Sequence, residues 1–218
     1  MIVAPVLVKQ EKSFSEIIQA QEITMLTALA AASLYYDLPL LCSGANLVYE
    51  KEAFNSVEGF EGVDKTLTGD DVFLLLKFHK QFPHEIKYLK SNQAVVFTHP
   101  EKKSSEMLKQ RKRWASKVFR YEFGCVTSIA ILVFLANFFL LLSGILSVIN
   151  PKFAFALVTA LPLKCIADYM LFHSASSFFK KDAHPFIFIV ASIVYPVYVS
   201  IVGLISPFTN YSWKGRTS

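Results

Sequence analysis

Hydrophobic and polar residues are distributed unevenly along the chain, and the pattern changes near residue 125. Before that point, short apolar runs alternate with charged and turn-forming residues, which predicts a mixture of strands and helices. After it come three long apolar runs with few charges, each about as long as the ~20 residues that cross a bilayer. The pattern therefore predicts an α/β half followed by about three transmembrane α-helices.

Four short apolar segments of the first half are predicted to be strands. They are Met1–Val8, Leu40–Tyr49 (broken by a Ser-Gly turn), Ile86–Leu89 and Ala94–Thr98. The first carries Pro5, which fits the edge or the end of a strand. It lacks the basic start of a secretory signal. Because a strand at residue one has no earlier strand to pair with, we expect the chain to begin inside a larger domain.

Four further segments are predicted to be helical. They are Ser13–Tyr36, a turn at Lys51–Ser56, Thr68–Gln81 and Lys102–Arg120. The first opens with Ser13 and Glu16 at the spacing of a capping box. The third has Thr68 and Asp71 at the same spacing, and its acidic residues suit the positive end of the helix dipole.

The helix predicted at Lys102–Arg120 is strongly basic. It carries eight Lys and Arg residues against one acid, Glu106, with Trp114 among the charges. Such a helix is typical of a membrane surface, and nucleic-acid binding is the competing interpretation. Because an apolar span follows within a few residues, we expect a lipid bilayer as the partner and no nucleic acid.

The second half divides into three spans and a tail. The spans are predicted at about 126–149, 153–174 and 186–206, and the tail at 209–218. Lys164 and Asp168, four residues apart within the second span, lie on one helix face and can pair. An ion pair inside a membrane span either takes part in the function of the protein or only neutralises the two charges. The second interpretation is favoured.

Composition agrees with this division. Of 218 residues, 53% are hydrophobic and 18% are charged, and 31 of the 39 charged residues precede Cys125. A chain with this share of hydrophobic residues and so few charges is not intrinsically disordered. Since the largest basic cluster precedes the first span, the positive-inside rule places the globular half in the cytoplasm, at the cell (inner) membrane of a multi-pass protein. The three cysteines are too far apart for a metal motif.

Two groups of residues are candidates for chemistry. Asp70 and Asp71 open a predicted helix, where they either cap it or act as acid–base groups. Gln110, Arg113, Trp114 and Lys117 share one face of the basic helix. Arg offers a planar fork for phosphate oxygens, and an indole offers a plane for a sugar ring. The competing interpretation of this face is an interfacial anchor of Trp and Lys/Arg.

The order of these features resembles the membrane-bound family 2 glycosyltransferases, which include cellulose, hyaluronan and poly-N-acetylglucosamine synthases. The features are Ser43-Gly44-Ala45-Asn46-Leu47, then Gly59-Phe60, the acidic pair, Gln-x-x-Arg-Trp at 110–114, and the spans. The resemblance covers roughly residues 1–124 and, less specifically, the spans.

The resemblance implies a fold and a reaction. Residues 1–100 would be the acceptor half of a GT-A-like domain, and 101–124 an amphipathic interface helix. An inverting transferase would move a hexosyl unit from a nucleotide-diphosphate sugar to a saccharide or a lipid-linked acceptor. Asp71 would be the general base, with Asp70 in place of the usual Glu. Gln110, Arg113 and Trp114 would bind acceptor and diphosphate, and Gly44 and Asn46 would line the substrate pocket.

One departure from the family is clear. Its members hold Mg²⁺ or Mn²⁺ with an Asp-x-Asp motif, and this sequence contains no Asp-x-Asp. We therefore expect no metal ligands in this chain, a separate N-terminal half as a further partner, and little activity of the chain alone. The alternative function is a non-catalytic membrane scaffold whose basic helix binds anionic lipid.

Overall fold

The computed structural model describes residues 1–9, 12–62, 69–118, 124–182 and 184–206, and the backbone of 212–213 and 216–217. Its helices are α1 Phe14–Tyr35, α2 Lys51–Ser56, α3 Asp70–Gln81, α4 Ser104–Ala115, α5 Gly124–Leu146, α6 Pro151–Phe179 and α7 Pro185–Ile205. Its strands are β1 Ile2–Val3, β2 Val6–Val8, β3 Leu47–Val48, β4 Lys87–Tyr88, β5 Val96–Thr98, β6 Ser212–Trp213 and β7 Arg216–Thr217.

The first apolar segment forms two strands rather than the single strand predicted at Met1–Val8. β1 lies between β3, to which it is antiparallel, and β4, to which it is parallel. β2 pairs in parallel with β5 in a second sheet. The break falls at Ala4 and Pro5, because proline has no N–H to continue a ladder.

The core of the globular half lies between β1 and the helices packed against it. Its buried members are all apolar: Val3, Leu34, Val57, Leu74, Leu75, Phe78 and Ile86. The three that α3 supplies recur at helical intervals. This packing fixes α3 against β1 and so sets the direction in which its first turn points.

Helix α1 begins with the predicted capping box, since Ser13 and Glu16 bond to each other's backbone N–H groups. Two of its polar side chains then tie it to β2 and to the residue before α7. The Thr27 hydroxyl donates to the carbonyl of Val6 in β2 at 2.7 Å, and Gln21 Nε2 donates to the carbonyl of His184, before α7, at 3.3 Å. Helix α1 therefore lies at the junction of the sheets and the apolar helices.

Among the residues that the structure describes, four helices are long and apolar enough to cross a membrane: α1, α5, α6 and α7. Three spans were predicted, and α1 was assigned to the globular half. In an apolar 18-residue stretch of each helix, 44% of α1 is buried, whereas 11% of α5 and 6% of α6 is buried. The exposed side chains of α5 and α6 are largely apolar, as expected of helices that face lipid.

Helix α6 extends beyond the predicted span at 153–174 to Phe179, and its last turns contact both α7 and the globular half. Phe172 stacks on Phe188 of α7 at 5.1 Å between ring centroids. Asn92 Nδ2 donates to the carbonyl of Phe178 at 2.9 Å. The apolar helices and the globular half are thereby joined by direct contacts as well as by the chain.

The predicted intrahelical pair within α6 is confirmed. Lys164 Nζ lies 2.5 Å from Asp168 Oδ2, and 5.0 Å from the ring centroid of Tyr195 on α7. The two charges neutralise each other on one helix face, and the aromatic ring adds a favourable contact to the cation.

Candidate active site

The acidic pair occupies the first turn of α3, as predicted, but the cap differs from the prediction. The N-cap is Gly69, which has no side chain to bond to the first turn; Thr68 lies outside the described residues. Gly69 has φ +96°, a left-handed conformation that glycine adopts without strain. Asp70 is exposed and Asp71 half-buried, and both carboxylates favour the positive end of the helix dipole.

Two backbone hydrogen bonds fix the carboxylate of Asp71. Its Oδ1 accepts from the N–H of Val72 at 2.9 Å, and its Oδ2 accepts from the N–H of Gly44 at 2.9 Å. A Cβ on Gly44 would lie 3.4 Å from the Cβ of Asp71, in van der Waals contact, so the two residues pack directly against each other. The Ser-Gly turn and the acidic pair, distant in sequence, are thus one site.

Asn46 belongs to the frame of this site in the structure. Its side-chain Nδ2 donates to the backbone carbonyls of Pro5 and Ala94, both at 2.8 Å. Its backbone carbonyl accepts from the N–H of Ala4 at 3.1 Å. These bonds join the loop that holds Gly44 to the segments around β2 and β5. The role predicted for Asn46, that of a pocket wall, stays a prediction.

The residues of the Gln-x-x-Arg-Trp segment divide between two places. Gln110 and Trp114 lie in a partly buried polar cluster together with Arg111, which occupies one of the two unspecified positions of the Gln-x-x-Arg-Trp motif. Arg111 is 4% exposed, and its guanidinium carbon lies 4.5 Å from the Trp114 ring centroid. Gln110 Nε2 donates to Glu101 Oε1 at 3.1 Å, and Gln110 Oε1 accepts from Arg111 Nη1.

The partner of Arg111 is Glu22 on α1. Arg111 Nη2 lies 2.6 Å and Nε 3.0 Å from Glu22 Oε2. The side chain of Gln19, also on α1, both donates to the carbonyl of Glu101 and accepts from its N–H, each at 3.0 Å. This cluster anchors α4 to α1 and fixes which face of α4 turns toward the acidic pair.

The residue that lies against the start of α3 is Lys117, just after α4, and the charge of Arg113 acts on it. Lys117 is only 8% exposed, and its stem covers the start of α3, since a Cβ on Gly69 would lie 2.7 Å from Lys117 Cδ. Burial lowers the pKa of Lys117 to about 8; the carboxylates of Asp71 and Asp70 oppose this shift, and the charge of Arg113 adds to it.

Cys42 is a further member of the site that the sequence did not single out. Burial, and then the charges of Asp71 and Asp70, raise the pKa of its thiol well above the ordinary value, so the thiol is neutral at physiological pH.

Lys117 was visible in the sequence only as the last member of a helix face. For Glu22 the sequence held no signal, because its partner lies 89 positions away.

The donor set at this site does not fit a divalent metal. In the parts of the chain that the structure describes, no three His, Cys, Asp or Glu side chains come together as ligands. The charges of the two carboxylates act on the ammonium of Lys117 and on a thiol that keeps its proton. A cation beside the carboxylates opposes the binding of a second one.

The site thus combines paired carboxylates at a helix start, a close backbone turn and two cations, next to a set of apolar helices. The family model of the glycosyl transferase family group 2 matches residues 1–206. The chain belongs to this family. No curated protein and no solved structure matches it. Membership in this glycosyltransferase family implies glycosyl transfer in general, with a nucleotide sugar as donor and an acceptor substrate, and the apolar helices indicate a membrane protein.

Proposed function

We propose that this chain carries the acceptor side and the membrane part of an inverting glycosyltransferase. It moves a hexosyl unit from a nucleotide-diphosphate sugar to a saccharide or a lipid-linked acceptor at the cytoplasmic membrane face. The observation that carries the proposal is the carboxylate of Asp71, held by Gly44 at 2.9 Å and flanked by the cation Lys117. Helices α5 to α7 would hold this site at the membrane.

The reaction needs an acceptor hydroxyl that loses its proton as it attacks the anomeric carbon. We propose that the carboxylate of Asp71 is the general base that accepts this proton. Its two accepted hydrogen bonds use two of the approximately four lone-pair positions of a carboxylate, so the group is oriented and still able to accept. The bond from the anomeric carbon to the diphosphate breaks with its electron pair on the leaving oxygen, and the new bond forms on the opposite face, which inverts the configuration.

The two carboxylates have different surroundings, and this decides how the assignment is tested. Asp71 is tied to the backbone, whereas Asp70 is exposed at the helix start. In the proposal Asp71 takes the proton, and Asp70 adds negative charge near the positive charge that develops on the sugar.

The test uses the protein in its native membranes, where any partner is present. Membranes from cells that carry Asp71→Asn, Asp70→Asn or Asp37→Asn are supplied with a panel of radiolabelled nucleotide-diphosphate hexoses, and label in lipid and polymer is measured. Asp37 is the matched control, because it lies on the surface, pairs with His84 at 2.6 Å and has φ 56°, which Asn also tolerates.

We expect Asp71→Asn to reduce incorporation to the level of a deletion strain, and Asp37→Asn to leave it unchanged, at equal amounts of protein in the membrane. Loss of incorporation in Asp70→Asn alone would move the base to Asp70. Unchanged incorporation in both site variants would contradict the proposal and support the membrane scaffold.

A further inference from the structure

A small cavity lies where α1 meets the last turns of α6 and the segment that leads into α7. About 10 Å³ of it is open to the centre of a water molecule, which is close to the volume that a single water needs. None of the residues that line it belongs to the acidic site. What fills this cavity is therefore a question independent of the proposed function.

Two buried polar atoms of the lining have no hydrogen-bond partner among the residues that the structure describes. They are Gln21 Oε1 and Ser176 Oγ, and their residues are 6% and 2% exposed. A buried carbonyl or hydroxyl without a partner lowers stability. In native proteins such groups are therefore bonded to other protein groups or to ordered water.

Both side chains are held in place by their surroundings. Gln21 Nε2 donates to the carbonyl of His184 at 3.3 Å. Because only the nitrogen of the amide can donate, Oε1 is directed away from that carbonyl. Ser176 lies in the last turns of α6, where its backbone carbonyl accepts from the N–H of Lys181 at 2.9 Å. Neither residue can turn to another partner without giving up these contacts.

The chemistry of the lining favours a small neutral molecule. Thr24 is 3% exposed, and its hydroxyl donates to the carbonyl of Ala20 at 2.8 Å, which leaves its oxygen able to accept. Lys181 and Asp182, also in the lining, bring opposite charges that together attract neither a cation nor an anion. The occupant must both donate and accept hydrogen bonds, and the volume limits it to the size of water.

We propose that one ordered water molecule occupies this cavity. It donates one hydrogen to Gln21 Oε1 and accepts from the hydroxyl of Ser176. Its second hydrogen is available to Thr24 Oγ1, which gives about the three hydrogen bonds that a buried water makes. The water joins α1 to the end of α6, and so helps to hold the apolar helices on the globular half.

A crystal structure of the full chain in a lipid mesophase, at a resolution that shows ordered water, tests the site directly. We expect a single density peak within hydrogen-bond distance of both Gln21 Oε1 and Ser176 Oγ. An empty cavity in a map that shows ordered water elsewhere would overturn the inference. A direct hydrogen bond between the two side chains would do the same.

Thermal melting of the detergent-solubilised chain gives a second test, because Ser176→Ala has opposite effects in the two cases. If the water is present, the variant loses one hydrogen bond and should melt about 2–4 °C lower. If the cavity is empty, the variant removes an unpaired buried hydroxyl and should melt at the same temperature or higher. Ser177→Ala, at an exposed position of the same helix, is the matched control and should melt like the unaltered protein. A melting temperature of Ser176→Ala at or above that of the control would contradict the inference.

Discussion

The ion pair between Glu22 and Arg111 allows a stability prediction with a definite size. The guanidinium is 4% exposed and the carboxylate side chain 18% exposed, and two nitrogens share one oxygen at 2.6 and 3.0 Å. Removing one partner of a buried pair costs about 3–5 kcal/mol. Because Glu22 keeps some access to water, Arg111→Met should cost about 3 kcal/mol, at the lower end of that range.

The assay is thermal unfolding of the detergent-solubilised protein followed by circular dichroism. For a chain of this size each kcal/mol corresponds to about 2–4 °C, so Arg111→Met should melt about 6–12 °C lower. Combining it with Glu22→Met should recover much of the loss, since an apolar pair in place of a buried ion pair is often close to neutral. Lys109→Met, exposed on the same helix, should stay within about 0.5 kcal/mol of the unaltered protein.

Two results would refute this reasoning. The first is a melting temperature for Arg111→Met that matches that of Lys109→Met, because the pair would then not anchor α4. The second is a double variant whose loss equals the sum of the two single losses. Additive losses are the mark of residues that do not interact.

Three further predictions concern the site and its frame. Gly69→Ala should destabilise the protein by about 1–3 kcal/mol, and less so in a Lys117→Ala background where the clash at 2.7 Å is removed; equal losses in both backgrounds would contradict the placement of Lys117. Alkylation of Cys42, followed by mass spectrometry against pH, should have its midpoint above that of an ordinary thiol and shift down in Asp71→Asn; a midpoint at the ordinary value would be inconsistent with the site. Asn46→Ala removes two hydrogen bonds of 2.8 Å and should lower the free energy of unfolding by about 1–3 kcal/mol. A denaturant midpoint equal to that of the unaltered protein would show that the two bonds contribute nothing.

Much of the fold follows from local signals in the sequence. The capping box fixes the start of α1 because both partners lie within one turn, and the apolar runs after residue 125 are long enough to be identified as helices. Pro5 marks where the first strand divides, but the different partners of β1 and β2 and the extension of α6 to Phe179 could not be predicted. They depend on pairing with β3, β4 and β5 and on contacts with the globular half, which are set by tertiary structure.

The same limit applies to the site. Asp70, Asp71 and Gly44 were identified from the sequence, and the structure brings them together. The sequence grouped Gln110 and Trp114 with Arg113 because helical spacing places them on one face. It could not show that Glu22 draws part of that face to α1 through Arg111. Which side of a helix meets which neighbour is decided by partners far away in the sequence.

The central claim is that the acidic pair of α3 performs glycosyl transfer. The most direct measurement is the initial rate of sugar incorporation in native membranes that carry Asp71→Asn, divided by the rate in membranes that carry Asp37→Asn at the same amount of protein. Loss of a general base typically costs a hundredfold or more, so we predict a ratio below about 0.01. A ratio near one, with Asp70→Asn equally active, would contradict the account.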